Sequence, residues 1–185
     1  MANKYTYQVL RDTTTDAVIK LTGTFDGTSN EMNVSRISAN TLANALANNG
    51  NLLANSNANT ALPYYDLQLT GLKYYVNFPA TTPLGSVEIF WSGNNATGTA
   101  ASAYANSATI FHLQGQGEFG LGEQLPAIYN NSVGGNGDIG VYTQGGTANS
   151  AYTLIISVRK NNAMYQRGQL NDPAAFNYGP YKLTP

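Results

Sequence analysis

Apolar and polar residues alternate with a period of two in short runs along most of this chain, and the runs are rich in Tyr, Val, Ile, Thr and Phe. A period of two sends successive side chains to opposite faces, which is the mark of half-buried strands rather than helices. The pattern predicts strands over 4–12, 16–23, 31–37, 66–78, 86–92, 107–113, 137–143 and 151–160, separated by clusters of Gly, Asn and Pro. Eight such strands point to an all-β fold, an antiparallel β-sandwich of jelly-roll type.

The connections are read from their turn residues. Arg11 to Asp16, "RDTTTD", and the Asp26-Gly27 pair in "TFDGTSN" predict two local hairpin turns. Segment 38–60 interrupts the strand pattern: Ser38 is placed to cap a helix, and Leu42, Ala45 and Leu46 recur at helical spacing. Its abundant Asn favours caps and turns over helix interiors, so the expectation is one or two helical turns followed by a loop. "GNNATGTAASAYANSA", residues 93–108, reads as a surface loop. In the stretch joining the sixth and seventh strands, Phe119, Leu121, Leu125 and Ile128 are the expected anchors.

The stretch "GGNGDIG", Gly134 to Gly140, invites three readings, a phosphate cradle, part of a calcium repeat, or a turn. A phosphate loop requires a following Lys and helix, and here Val141-Tyr142-Thr143 continues as strand. A dinucleotide fingerprint fails for want of the same helix. The calcium repeat G-G-x-G-x-D requires a residue between its last Gly and the Asp, whereas Asp138 follows Gly137 directly. The glycines are therefore expected to make a sharp reversal, with Asn136 and Asp138 bonding local backbone amides and the strand over 137–143 pairing with 151–160 across "TQGGTANSA".

Length and composition narrow the possibilities. The 185 residues suit one sandwich domain over 1–160, followed by an extended arm over 161–185. The arm contains Pro173, Pro180 and Pro185 and has no periodicity, so it does not read as a core strand. Its Tyr165, Phe176, Tyr178 and Tyr181 carry apolar area that calls for a partner surface, and they are the candidate partner-contact residues.

Only 10% of the residues are charged and the net charge is −1, which leaves no basic field for nucleic acid or an anionic membrane. No run of 18 apolar residues suggests a spanning helix, and the N-terminus lacks the apolar core of a secretory signal. The absence of cysteine excludes disulfides and thiolate metal sites.

Catalytic constellations are wanting. His112 is the single histidine and lies in a strand pattern, so neither a zinc site nor a nucleophile-base pair is expected. The ten acidic residues are scattered; Glu118 and Glu123 flank a Gly-rich turn and read as solvated loop acids rather than a glycosidase pair. No enzymatic activity, metal or cofactor is expected.

Four stretches in order, "QVLRDTTTDAVIKLTGTFDGTSNEMNVSRI", "SVEIFWSG", "LQGQGEFGLGEQLPAIYNN" and "GDIGVYTQGGTANSAYTLIISVRK", resemble a group of tailed-bacteriophage virion structural proteins over residues 8–160. The shared features are an Arg-Asp hairpin, a "VIKLTGT" strand, a Trp strand, an apolar-Gly turn and a Gly-Asp-Ile strand before the last one. The resemblance implies a β-sandwich virion component, a capsid decoration or cement protein on the exterior of a phage head. It also implies synthesis in the host cytoplasm, the major capsid protein as partner and a dimeric or trimeric homo-oligomer. The insertion at 38–60, the loop at 93–108 and the arm at 161–185 depart from the shared pattern. The alternatives are a tail component, or a carbohydrate- or receptor-binding module stacking sugars on Tyr64, Tyr65, Tyr74, Tyr75 or Tyr104.

Overall fold

A computed structural model describes residues 3–27, 30–31, 34–43, 67–79, 85–92, 107–120, 128–129 and 137–160. The chain forms strands β1 (Lys4–Asp12), β2 (Asp16–Thr24), β3 (Val34–Ile37), β4 (Leu67–Asn77), β5 (Ser86–Trp91), β6 (Ala108–Leu113), β7 (Gly115–Phe119), β8 (Ile128–Tyr129), β9 (Ile139–Gln144) and β10 (Ala151–Lys160).

Strand pairing is nested. β5 pairs with β6 as the inner hairpin, β4 with β7 outside it, β3 with β9 outside that, and β2 with β10 outermost, every pair antiparallel. One long hairpin of this kind cannot bury an apolar face as a flat ribbon, and it does so by rolling up. β10 then also pairs with β4, and β9 with β5, closing two packed sheets. The larger has the order β1-β2-β10-β4-β7, with β8 also on β4, and the smaller has the order β3-β9-β5-β6. This is the jelly-roll β-sandwich, with β1 added outside β2.

The alternation in the sequence determines which residues enter the core. On β2, Ala17, Ile19 and Leu21 are buried, and on β10, Tyr152, Leu154, Ile156 and Val158. Val87, Ile89, Trp91, Ile139 and Val141 face them from the smaller sheet. Each large apolar side chain so buried contributes about 1.5–3 kcal/mol. Phe119 and Ile128 pack on this core as anchors, while Leu121 and Leu125 lie outside the described residues.

Three expectations are corrected. The strand over 137–143 does not pair with 151–160: β9 lies in the smaller sheet and β10 in the larger, because both edges of each are already taken by other strands. Residues 145–150 instead carry the chain between sheets, and Phe25 fastens this crossing, its N–H donating to Ser150 O (2.9 Å) and its carbonyl accepting from Asn149 N–H (3.2 Å). The Asp26-Gly27 turn is likewise a crossing between sheets, from β2 to β3, and not a hairpin. After Ser38 the chain makes a single 3₁₀ turn, Ala39–Thr41, which the Ser38 side chain does not cap; residues 44–60 lie outside the described residues. The hairpin of β1 and β2 is as expected.

Candidate interaction surfaces

The four aromatic residues expected to contact a partner, Tyr165, Phe176, Tyr178 and Tyr181, lie outside the described residues. The point from which their segment departs is well defined. Lys160 ends β10 with its side chain completely buried. Its ammonium has three hydrogens and donates to the Asp12 carboxylate, to Thr13 O (2.7 Å) and to Ala43 O (2.7 Å). Asp12 in turn accepts from Ala43 N–H (2.6 Å), and Lys160 N–H donates to Thr15 O (2.7 Å). Lys160, the last described residue, is therefore fixed beside the β1–β2 turn.

A second buried polar group braces the opposite end of the sandwich. Glu31 precedes β3; its carboxylate pairs with Arg36 and accepts from the Tyr152 hydroxyl (2.6 Å). Its own N–H donates to Thr143 Oγ1 (2.7 Å), and its carbonyl accepts from Thr143 N–H (3.0 Å). The Tyr152 ring reaches Glu31 by lying across Gly23, where any Cβ would approach the ring to 2.4 Å. Burial raises the Glu31 carboxyl above the ordinary carboxylate value of 4.5, with Tyr152 and Arg36 opposing. Burial, and then the neighbouring Glu31 charge, push the Tyr152 hydroxyl strongly upward. A tyrosine so shifted keeps its proton and donates a hydrogen bond, which suits a brace between the sheets.

Of the glycine stretch, Gly137 to Gly140 are described, and Gly137 and Asp138 have a similar mechanical role. Gly137 sits at φ +97°, a conformation open to glycine. Asp138 then accepts from Ala39 N–H on its carboxylate (2.7 Å) and from Ser92 N–H on its carbonyl (2.9 Å). The amide it bonds through its side chain is 99 positions away in sequence, a partner that local turn chemistry does not reveal.

His112 is exposed on β6, across from Glu88 of β5, whose carboxylate accepts from the Thr109 hydroxyl. Glu118 is exposed on β7, and Glu123 lies outside the described residues. Among the described residues, no three His, Cys, Asp or Glu side chains gather as a metal site requires.

Two exposed surfaces stand out. The first is β1, exposed continuously from Thr6 to Arg11, with Tyr7 44%, Val9 43% and Leu10 48% accessible. Tyr5, Tyr7 and Val9 lie opposite Gly23, Leu21 and Ile19 of β2, and so point to the core side of the larger sheet. No described strand of the smaller sheet extends past β3 to cover them. Tyr5 lies edge-on to Phe25 and beneath the Arg36 guanidinium at 4.2 Å, and the Tyr7 hydroxyl bonds the Thr41 side chain while its ring stays exposed.

The second surface is a cavity of about 440 Å³ on the larger sheet, lined by Lys73, Tyr75, Gln116, Glu118, Thr153 and Ile155 among others. Register explains their convergence: Ile155, Lys73 and Glu118 form one row across β10, β4 and β7, and Thr153, Tyr75 and Gln116 form the next. Tyr75 is 52% exposed, while Tyr74 points to the other face and packs on the core. Tyr64, Tyr65 and Tyr104 lie outside the described residues.

Neither a protein-family model nor a curated protein matches this chain. A solved structure is similar to it. That structure comes from a single-particle study of maize chlorotic mottle virus, with 11% identity, 86% of this chain and 94% of that chain covered, and a TM-score of 0.24. The jelly-roll assignment rests on the strand pairings themselves.

Sequence reasoning missed β7, β8 and the exposure of β1. Gly115 and Gly117 hide β7 by breaking its apolar alternation. The alternation of Tyr5, Tyr7 and Val9 marks a face, but carries no signal of whether a second sheet covers it.

Proposed function

We propose that this chain is a structural component of a virus particle, a decoration or cement protein on the exterior of a tailed-phage head. The observation that carries the reading is the nested jelly-roll pairing, an architecture used by viral capsid domains, formed from the same stretches that resemble phage virion proteins. Fold analogy alone leaves function open, since lectins and other domains share the architecture. The order of the resembling stretches supplies the second support.

In this role the chain binds the major capsid protein as a homo-oligomer and is made in the host cytoplasm. The low charge and the aromatic segment 161–185 suit many modest contacts repeated by symmetry, where multivalency multiplies a weak single-site affinity. The proposal assigns no reaction, cofactor, nucleic acid or membrane contact. The test is reconstitution: the purified chain is added to capsids assembled from the same virus without it, and the particles are imaged. Regularly spaced external density supports the role, and bare capsids overturn it. Density on the tail would favour a tail component.

The cavity around Tyr75 favours a second reading, a carbohydrate-binding surface. An exposed ring flanked by an amide, a carboxylate, an ammonium and a hydroxyl can stack on a sugar and bond its hydroxyl groups. A glycan array read against Tyr75→Ala tests it, with binding lost in the variant if the ring is the platform. An array without specific binding removes this reading.

A further inference from the structure

We infer that β1 is a subunit interface, joining two copies of this chain edge to edge through antiparallel pairing of β1 with β1 of the second copy, about a two-fold axis at Gln8. β1 is the outermost strand of the larger sheet among the described residues, so one row of its backbone N–H and C=O groups has no described strand beside it. Along it lie Tyr7, Val9 and Leu10, three of the four exposed large apolar residues among those described. The larger sheet is wider than the smaller by this strand, and the exposed side chains sit on the overhang.

The occupant is a second copy because the strand is complementary to itself. A two-fold axis normal to the sheet keeps equivalent residues on the same face, so core-side residues must meet core-side residues. Centring the axis on Gln8 satisfies this condition over the centre of the strand, with the core-side Tyr7 meeting the core-side Val9 of the second copy, an aromatic against a β-branched side chain. Shifting by one position sets core-side Tyr7 against outer-side Gln8, a mismatch of faces that the pleat opposes. The bulge between Val9 and Arg11 confines the pairing to the central residues of the strand. An isologous contact of this kind yields a closed dimer rather than a fibre.

The chain has no cysteine, so an introduced one reports the axis directly. Facing residues at a two-fold between antiparallel strands have Cα atoms about 4.5–5.5 Å apart, within disulfide range. The full-length Gln8→Cys variant is expected to form a covalent dimer on mild oxidation, whereas Gln116→Cys, exposed on the opposite edge strand, does not. Light scattering of the unmodified chain at tens of micromolar (about the range of a modest interface) is expected to give a dimer. Val9→Asp should weaken it on the order of a hundredfold, because a carboxylate is then buried against the Tyr7 ring of the second copy. Folding of each variant is checked by the emission of Trp91, the single and fully buried tryptophan. A monomeric or trimeric chain, or cross-linking of Gln8→Cys no faster than Gln116→Cys, overturns the inference; the former is the result expected if segment 161–185 of the same chain covers β1. The outcome is independent of the capsid role, which is tested by particle binding.

Discussion

Strands β1 and β5 are both alternating segments rich in apolar and aromatic residues, yet they end in opposite environments. Every residue of β5, from Ser86 to Trp91, is buried, whereas β1 is exposed on both faces over its central residues. β5 runs between β9 and β6 in the smaller sheet; β1 lies outside β2, and past Tyr5, which meets Arg36 of β3, no described strand of the opposite sheet covers it. The contrast shows that alternation determines which side chains share a face, while position in the roll determines whether that face is covered. Apolar residues on an uncovered face at a sheet edge are where association between chains is to be sought.

The contrast can be broken first where β1 is anchored. Removing the buried ammonium with Lys160→Ala leaves Asp12 without its counter-charge and the carbonyls of Thr13 and Ala43 without a donor. The expected loss is about 3–5 kcal/mol in denaturant unfolding. A loss under about 1 kcal/mol would show that the anchor is dispensable.

On β5, Ile89→Ala should cost about 3 kcal/mol, since Ile89 is fully buried in the core and its truncation leaves a cavity. The matched change on β1, Val9→Ala, should alter unfolding by less than about 0.5 kcal/mol when the chain is diluted to monomers. Equal costs at the two sites would erase the distinction between the strands.

Glu31 sharpens the comparison through pH. Its folded pKa lies above the ordinary value of 4.5, so the folded state holds the proton more tightly than the unfolded chain does. The corresponding stability is fully present below pH 4.5 and is lost as pH rises through the folded value. Glu31→Gln should therefore show a smaller decline in stability across that window than the unmodified chain. The opposite trend would mean that the Arg36 pair outweighs the cost of burial. The smallest effect is expected from Glu118→Gln, an exposed change on β7, which should leave the unfolding midpoint unchanged within about 0.5 kcal/mol.

Much of the fold was legible from period alone. The predicted strands over 4–12 and 151–160 coincide with β1 and β10, those over 16–23 and 86–92 differ from β2 and β5 by a residue at one end, and that over 66–78 differs from β4 by a residue at each end. The failures share a cause. β7 was invisible because two glycines replace the side chains that carry the pattern, and β9 was assigned to the wrong partner because neighbours in sequence were expected to be neighbours in a sheet. Of the interaction surfaces, exposed Tyr75 was among the sequence candidates, but its cavity depends on Gln116 and Glu118 arriving from a strand the pattern did not reveal.

By itself the sequence determined the strands other than β7 and β8, the two faces of each and the scarcity of charge, because these follow from side-chain spacing and composition along a chain. It also excluded the phosphate and calcium readings of "GGNGDIG", since the spacing fits no ligand loop. Only the tertiary structure decided that β9 and β10 part into different sheets, that Asp138 bonds Ala39, that Glu31 meets Tyr152 and that β1 is left uncovered. These contacts join residues far apart in sequence, and the free energy that selects them comes from closing the roll around one apolar core, a property of the whole chain and of no single stretch.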